Sequence, residues 1–410
     1  VQMAPARTPE MLRGPLQELC LQLRLAPLLS DLPLRAAFAR ALDEPNEAAV
    51  TAAIASLQRT AALDANEALT PLGRHLAHLP VEICIGRLML FGALLHCAEP
   101  TLLIAAALSD RSPFLAPLSR REEARHAQLC FNTAQSDHLA VVEAYSRWSE
   151  VRRREGGAAA SRFCEKHFLS ERVLHGLSEM KEQFWGQLAE LRLLPDLRRL
   201  PTHEREAARA SANRHADSML LLKAVLCAGL TPNVLLVNNA GGKHLPSLSQ
   251  QKQTVQIHPS SFNHRTPKFD TAYLVYHEKV KATGKICVHD CTAVTALDLM
   301  LFGSEPQIFH AQHRALIDGW LEVRVSPRTA VLFKALRRQL TELMRRKIEG
   351  TMDGSTDTAH RDAEVSVEEA KRVEAQQALV SALVELVKRG TAAADLNDDS
   401  YAGRSASRRT

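Results

Sequence analysis

Hydrophobic positions in the N-terminal part of the chain recur every three or four residues, which is the spacing of amphipathic helices. Three such segments cover about residues 15–23, 34–42 and 50–57, and a short apolar segment follows them. Thr70 before Pro71 then marks a helix start, because threonine caps helices and proline fits their first turn. The pattern predicts three helices and a short hairpin, which is the arrangement of a winged helix.

Apolar residues become denser from Val81 onward, where leucine, alanine and isoleucine dominate. Helix-breaking residues interrupt this stretch at Pro100, at Pro113 and at Gly156. Segments between such breaks are long enough to form helices that pack on one another. We therefore expect an all-helical unit that extends to about Leu194.

Helical spacing gives way to short β-branched stretches after about Val225. Loops rich in glycine, proline and asparagine separate these stretches, as is typical of strands joined by turns. About five strands of this length fit a small barrel. The clearest predicted strands are residues 234–237, 254–258, 272–277 and 285–288.

Helical spacing returns at Arg328 and predicts a strongly basic helix. Its predicted apolar face consists of Val331, Leu332, Leu336, Leu340 and Leu343. The remaining surface carries Arg337, Arg338, Arg345, Arg346 and Lys347. A polar linker covers residues 350–361, and Ser366 with Glu369 can form a capping box for a last helix that ends at Gly390.

Composition supports a mainly helical chain, because aromatic residues make up only 5% of it. The net charge of +5 is small for 410 residues, so only local clusters of basic residues matter. The eight cysteines lack paired spacing, which predicts reduced thiols in an intracellular compartment. No apolar run reaches about 18 residues, so no membrane partner is expected.

No catalytic or metal site is predicted. The glycine-rich residues 241–244 lack the spacing and the hydroxyl of a phosphate-binding loop, and Asp43-Glu44 continues into Pro-Asn, which does not form a DEAH box. Cys287, His289 and Cys291 are close in sequence, but a closed zinc site takes four ligands. Two buried thiols in a β region explain that spacing equally well.

Several motifs resemble the helicase-associated, or ratchet, region of DEAH-box RNA helicases. They are residues 69–80 (LTPLGRHLAHLP), 86–93 (GRLMLFGA), 105–114 (AAALSDRSPF) and 136–140 (SDHLA). A second group is similar to the OB-fold of that family. It comprises residues 223–233 (KAVLCAGLTPN), 258–263 (HPSSFN), 276–281 (YHEKVK) and 290–292 (DCT), with Thr231 at a position where the family usually has an aromatic residue.

The resemblance implies a series of domains. They are the end of a RecA-like linker (1–14), a winged helix (15–79), a ratchet domain (80–200), an OB-fold (210–327), a helical extension (328–390) and a disordered tail (391–410). It also implies that the parent protein is an ATP-dependent RNA helicase whose ATPase domains, with ATP and magnesium, lie upstream of Val1. No resemblance is identified beyond Glu349.

The resemblance implies single-stranded RNA as a partner, and the polar loops of the OB-fold are the candidate contacts. His258, Ser260 and Ser261 can donate to phosphate oxygens, although they can equally form a turn around Pro259. The basic candidates are Lys279, Lys281 and Lys285, which also fit edge-strand lysines that prevent aggregation. The ratchet arginines Arg87, Arg111, Arg120 and Arg121 are interpreted as solvated.

Two functions remain open. In the first, the chain grips RNA for an ATP-dependent helicase that remodels RNA or RNP complexes. In the second, it is a docking scaffold that binds protein partners within an RNA-processing assembly and has no helicase activity of its own.

Overall fold

The computed structural model describes residues 9–30, 32–132, 134–239, 245–251, 253–282, 284–352 and 377–389. Across these residues the protein is mainly helical and contains a small closed β-barrel. The predicted fold class, mainly α with a small barrel, is therefore confirmed. The predicted capping box of Ser366 and Glu369 and the predicted tail from residue 391 lie outside the described residues.

Four helices and one β-bridge form the N-terminal unit. Asn46 caps the third helix by accepting a hydrogen bond from the amide of Ala48, and Thr70 caps the fourth by accepting one from Gly73. The bridge joins Leu63 to Leu69, between the third and fourth helices. The helices are α1 (Gln17–Leu25), α2 (Leu34–Phe38), α3 (Glu47–Arg59) and α4 (Pro71–His78).

Eight further helices form a bundle in which the apolar helices α5, α6 and α12 are buried on nearly every side. Helix α12 packs closely on α5, because a Cβ atom at Gly229 would stand 2.8 Å from the Cβ of Leu88. Only glycine permits this approach. The helices are α5 (Ile83–Leu94), α6 (Ala98–Ser109), α7 (Arg121–Gln128), α8 (Asp137–Glu155), α9 (Gly157–His167), α10 (Glu171–Glu190), α11 (Thr202–Ala212) and α12 (Met219–Leu230).

The barrel closes in the strand order β1-β2-β3-β5-β4, with β3 and β5 parallel and the other pairs antiparallel. Its core contains Leu235, Val255, Leu274 and Val288, all nearly inaccessible to solvent. The polar strand β2 was not among the predicted strands. The strands are β1 (Val234–Asn238), β2 (Ser247–Gln250), β3 (Gln253–Ile257), β4 (Tyr273–Ala282) and β5 (Lys285–Val294).

A helix, a second sheet and two further helices follow the barrel. The three-stranded antiparallel sheet, in the order β6-β7-β8, was not predicted from the sequence because its strands have only three or four residues each. The elements are α13 (Ala296–Phe302), β6 (Gln307–Phe309), β7 (Arg314–Ile317), β8 (Leu321–Arg324), α14 (Pro327–Met352) and α15 (residues 377–389).

The buried face of α14 differs from the predicted one. Val331 and Leu332 are 56% and 59% exposed, whereas Phe333 is buried. Arg337, predicted to lie on the solvated surface, instead donates hydrogen bonds of 3.0 and 2.7 Å to the carbonyls of Met300 and Gly303. The prediction was wrong for Val331, Leu332 and Arg337, because more than one apolar face of this sequence fits helical spacing. It was confirmed for Leu340 and Leu343, which are buried.

Among the described residues, no single helix is both long and apolar enough to cross a membrane. Helices α4 and α5 pass that test only as a pair, and they are bent by 109° at the break between them. All eight cysteines are free thiols.

Candidate nucleic-acid interface

A buried carboxylate joins the helical bundle to the barrel. Asp137, the first residue of α8, accepts hydrogen bonds from the Ser261 hydroxyl at 2.6 Å, from the Phe262 amide at 2.9 Å and from the Cys291 amide at 2.8 Å. Burial raises the pKa of Asp137 to about 7, although the three donors act to lower it. The loop after β3 is therefore fixed to the start of α8.

A second set of buried bonds lies beside the first. The Thr292 hydroxyl shares hydrogen bonds with the Ser136 hydroxyl at 2.6 Å and with Nδ1 of His138 at 2.7 Å. Burial lowers the pKa of His138 to about 3, so its ring is neutral at pH 7. Asp290 and Thr292 lie within strand β5, where Asp290 has a positive φ of 53°.

The loop after β3 presents His258 at the surface. Its Nδ1 accepts from the Ser260 amide at 3.2 Å and lies 2.8 Å from the Ser260 hydroxyl, so these residues form the predicted turn. The His258 ring stacks on the ring of His289 in β5, with centroids 4.0 Å apart. Ser260 is exposed, and its hydroxyl and amide lie beside these two rings.

Basic side chains from helix α7 approach this loop. Burial lowers the pKa of His258, and the positive charges of His289, His264 and Arg121 lower it further. Burial also lowers the pKa of Arg125, as does the nearby charge of Arg265. Acidic groups are also present, since Arg265 lies 3.5 Å from Glu122 and Asp290 is close enough to His289 to interact with it electrostatically. We call the basic residues the junction cluster: Arg121, Arg125, His258, His264, Arg265 and His289.

The predicted lysines lie on the hairpin of β4 and β5 and are exposed. Lys279 pairs with Val288 and Lys281 with Ile286, while Lys285 pairs with Ala282. Because alternate residues share a face and cross-strand partners point to the same side, Lys279 and Lys281 lie on one face and Lys285 on the other. From the sequence alone, all three lysines could have lain on one face of the hairpin.

The hairpin and the junction cluster are neighbours in the barrel. Ile257, next to His258, pairs with Val288, and Val288 pairs with Lys279 on its other side. Strands lie about 4.8 Å apart, so the backbones of Ile257 and Lys279 are about 10 Å apart. Lys279 is partly engaged, because its Nζ lies 2.8 Å from Oε1 of Gln250.

The structure gives different surroundings to the six predicted contact residues. His258 belongs to the junction cluster and Ser260 is exposed beside it, whereas Ser261 is only 5% exposed and its hydroxyl is bound to Asp137. Ser261 thus positions the loop in this structure, and its contact with RNA stays a prediction. Arg121 is exposed, as expected for a solvated arginine, and its charge also acts on His258 across 137 positions of sequence. No local signal in the sequence could have identified this proximity.

The other ratchet arginines have different roles. Arg87 is buried and donates a 2.6 Å hydrogen bond to the carbonyl of Thr231. Arg111 is exposed, and its nearest acidic group is Asp110 at 3.5 Å. Arg120 pairs with Glu123 and lies over the ring of Phe168 at 4.7 Å. Of this set only Arg121 belongs to the junction cluster, and its N–H donors and positive charge have the chemistry of phosphate binding.

Four families match successive parts of the chain. Residues 53–81 match the helicase associated domain (HA2), winged-helix, and residues 82–141 match the helicase associated domain (HA2), ratchet-like. Residues 222–305 match the oligonucleotide/oligosaccharide-binding (OB)-fold, and residues 313–365 match the C-terminal domain in RNA helicases. The last match extends beyond Glu349, which corrects the expectation that no resemblance continues past that residue.

Similar proteins support the same assignment. The chain is 36% identical over 388 residues to the ATP-dependent DNA/RNA helicase DHX36 of Mus musculus, covering 93% of this chain and 36% of that protein. It is 35% identical over 382 residues to DHX57 of Homo sapiens, covering 85% of this chain and 27% of that protein. The chain thus spans about a quarter to a third of the length of these relatives.

Proposed function

We propose that the chain holds single-stranded RNA at the junction of its ratchet domain and its OB-fold. The proposal proceeds from the membership of this chain in the DEAH-box RNA helicase family, whose C-terminal domains it carries. The junction cluster supplies the main phosphate contacts, with Ser260 as a further donor. Lys285 extends this basic surface, because it lies on the face of the β4–β5 hairpin that also carries His289. Lys279 and Lys281 make a weaker contribution, because they lie on the opposite face.

The observation that carries this proposal is the convergence of His258 and Arg121. Two basic groups from different domains lie close enough that the charge of Arg121 lowers the pKa of His258. With its pKa lowered from 6.5, His258 is neutral at pH 7 and can donate a hydrogen bond, while Arg121 supplies a positive charge beside it that attracts an anion. A phosphate of the RNA backbone is such an anion, and phosphate contacts do not depend on base sequence.

The parent protein, in our proposal, is an ATP-dependent RNA helicase. The similar proteins are named as ATP-dependent helicases, and that activity requires ATP and magnesium at nucleotide-binding domains. We place those domains outside the sequence described here, because the glycine-rich residues 241–244 lack the spacing of a phosphate-binding loop. The chain's own part is to retain RNA while those domains change their separation.

Binding of a fluorescent single-stranded RNA of about 15 nucleotides across a salt series tests this proposal. The whole chain should bind RNAs of different sequence with similar affinity, and the logarithm of the binding constant should fall linearly with the logarithm of the salt concentration. A strong preference for one base sequence, or an absence of binding at low salt, would contradict RNA retention by backbone contacts.

One feature favours protein docking as a second function. Helix α14 leaves Val331 and Leu332 more than half exposed, and Phe309 of β6 is 36% exposed. Adjacent to them, α14 carries the exposed basic residues Lys334 and Arg338. An apolar surface with a basic margin is typical of a protein-binding face. Pull-down of purified RNA-processing proteins with wild type and with Leu332→Asp would test it, and equal recovery would contradict it.

A further inference from the structure

Three side chains with metal-binding atoms meet where helix α5 approaches strand β4. Glu82 immediately precedes α5, Cys84 lies in its first turn, and His277 lies in β4. Their ligand atoms all lie within 4.8 Å of one another, and no other described part of the chain brings three such residues together. The RNA-binding proposal uses none of the three.

The distances between these atoms fit a tetrahedral ion. Sγ of Cys84 lies 3.7 Å from Oε2 of Glu82, and Nε2 of His277 lies 3.4 Å from the same oxygen. Zinc binds sulfur at about 2.3 Å and nitrogen or oxygen at about 2.1 Å, so tetrahedral angles place sulfur about 3.6 Å from oxygen and nitrogen about 3.4 Å from oxygen. Two of the three distances are therefore those of a zinc-sized tetrahedron, and the third, between the Cys84 sulfur and the His277 ring nitrogen, is at most 4.8 Å.

The imidazole of His277 is an independent indication of a ligand. Its buried Nε2 atom lies 3.4 Å from Oε2 of Glu82, a contact without the geometry of a full hydrogen bond. A buried ring nitrogen with contacts this weak is incompletely satisfied, and coordination of a metal would satisfy it. The strand is held in place beneath it, since the Asn233 side chain donates a 3.2 Å hydrogen bond to the His277 carbonyl.

We propose that Glu82, Cys84 and His277 bind one Zn²⁺ ion, with water as the fourth ligand. Thiolate, imidazole and carboxylate are the donors that zinc takes from proteins. The Glu82 side chain is 63% exposed, so the fourth position faces solvent. Because two ligands come from the start of α5 and the third from β4, the ion ties the ratchet to the OB-fold.

The competing explanation needs no metal. A charged His277 can pair with Glu82, while the Cys84 thiol donates weakly to the same carboxylate. In that case the thiol is dispensable, and no ion binds. The two explanations therefore differ in what Cys84 does, and a spectroscopic signal from its sulfur separates them.

Titration of the whole chain with Co²⁺, in the presence of a phosphine reductant, provides that signal. Cobalt substitutes for zinc and gives a near-ultraviolet charge-transfer band when a thiolate is among its ligands. We would compare wild type with Cys84→Ser and His277→Gln. Cys130→Ser is the matched control, because Cys130 is an exposed free thiol that also lies near a histidine, at 3.8 Å from Nδ1 of His167.

The proposal predicts one equivalent of cobalt with a thiolate band in wild type and in Cys130→Ser. The band should be lost in Cys84→Ser and in His277→Gln, and Zn²⁺ should displace the cobalt from wild type. Zinc should also raise the melting temperature of wild type and leave that of Cys84→Ser unchanged, which would show that the variant folds without the ion. A missing band in wild type, or a band that persists in Cys84→Ser, would overturn the proposal.

Discussion

The Ser261 hydroxyl donates a 2.6 Å hydrogen bond to the carboxylate of Asp137, although 124 positions separate the two residues in the sequence. This bond fixes the loop that carries His258 to the first turn of α8. Two backbone amides, those of Phe262 and Cys291, donate to the same carboxylate. The geometry of the proposed RNA surface therefore depends on a group that is itself buried.

We expect Asp137→Ala to lower the free energy of unfolding by about 2 to 4 kcal/mol, because it leaves buried donors without an acceptor. RNA affinity should fall as well, since the His258 loop loses its anchor. Urea denaturation and RNA titration would measure the two effects. Asp43→Ala, which changes an exposed carboxylate, is the control. Equal stability of the two variants would show that the three bonds contribute little.

Stability should respond to pH through Asp298, which forms the capping box of α13 together with Thr295. Burial raises its pKa from 3.8 to about 6, against the lowering effects of its bonds with Thr295 and the charge of Lys223. The folded protein thus holds a proton at pH values where the unfolded chain has released it. The contribution of Asp298 to the stability of the fold is complete below about pH 4 and is lost as pH rises through about 6.

Asp298→Asn removes that titration. The free energy of unfolding of wild type minus that of the variant should fall by about 3 kcal/mol between pH 4 and pH 7. Urea denaturation of both proteins at several pH values would measure the difference. A difference that stays constant over this range would contradict a raised pKa for Asp298.

Arg337 should matter to stability far more than its neighbour. Arg337→Ala leaves the carbonyls of Met300 and Gly303 without donors and should cost about 2 to 3 kcal/mol, because both bonds come from a charged group. Arg338→Ala, which changes an exposed arginine one position along the same helix, should cost less than about 0.5 kcal/mol. Thermal or chemical denaturation of the pair provides the comparison, and similar losses would place Arg337 in solvent.

The two faces of the β4–β5 hairpin should differ in RNA binding. Lys285→Ala should weaken binding and make the salt dependence shallower by about 0.7 for the phosphate that this lysine neutralises in wild type, because Lys285 shares a face with His289. Lys279→Ala together with Lys281→Ala should change both quantities less, because these two lysines lie on the other face. Fluorescence titrations at several salt concentrations measure affinity and slope together. A larger effect of the Lys279→Ala and Lys281→Ala pair would contradict this assignment of faces.

Local signals in the sequence predicted helices and strands correctly where a residue pattern is typical of one kind of structure only. Thr70 before Pro71 predicted the start of α4, and the structure has that cap. The β-branched stretches predicted four of the barrel strands, whereas the polar strand β2 gives no such signal and is held by its pairing with β1 and β3. Helical spacing alone could not choose the buried face of α14, because Val331 and Phe333 both fit an apolar face.

The candidate site was less accessible to prediction, because it is assembled from distant segments. The motif at residues 258–263 pointed to His258 and Ser260, but the contact of Ser261 with Asp137 and the approach of Arg121 arise only when the ratchet packs on the barrel. The same holds for Glu82 and His277, which lie on different domains. Residues of this kind carry no local pattern that distinguishes them from solvated charges.

The most direct test of RNA retention at the junction is the salt dependence of RNA binding by the double variant Arg121→Ala/His258→Ala, compared with wild type and with Arg205→Ala. Arg205 is an exposed arginine of α11, which contributes nothing to the junction cluster. We predict that the double variant binds more weakly at every salt concentration and has a slope shallower by about 0.7 to 1.4, while Arg205→Ala matches wild type. Equal affinities and slopes for all three proteins would contradict RNA retention at the junction.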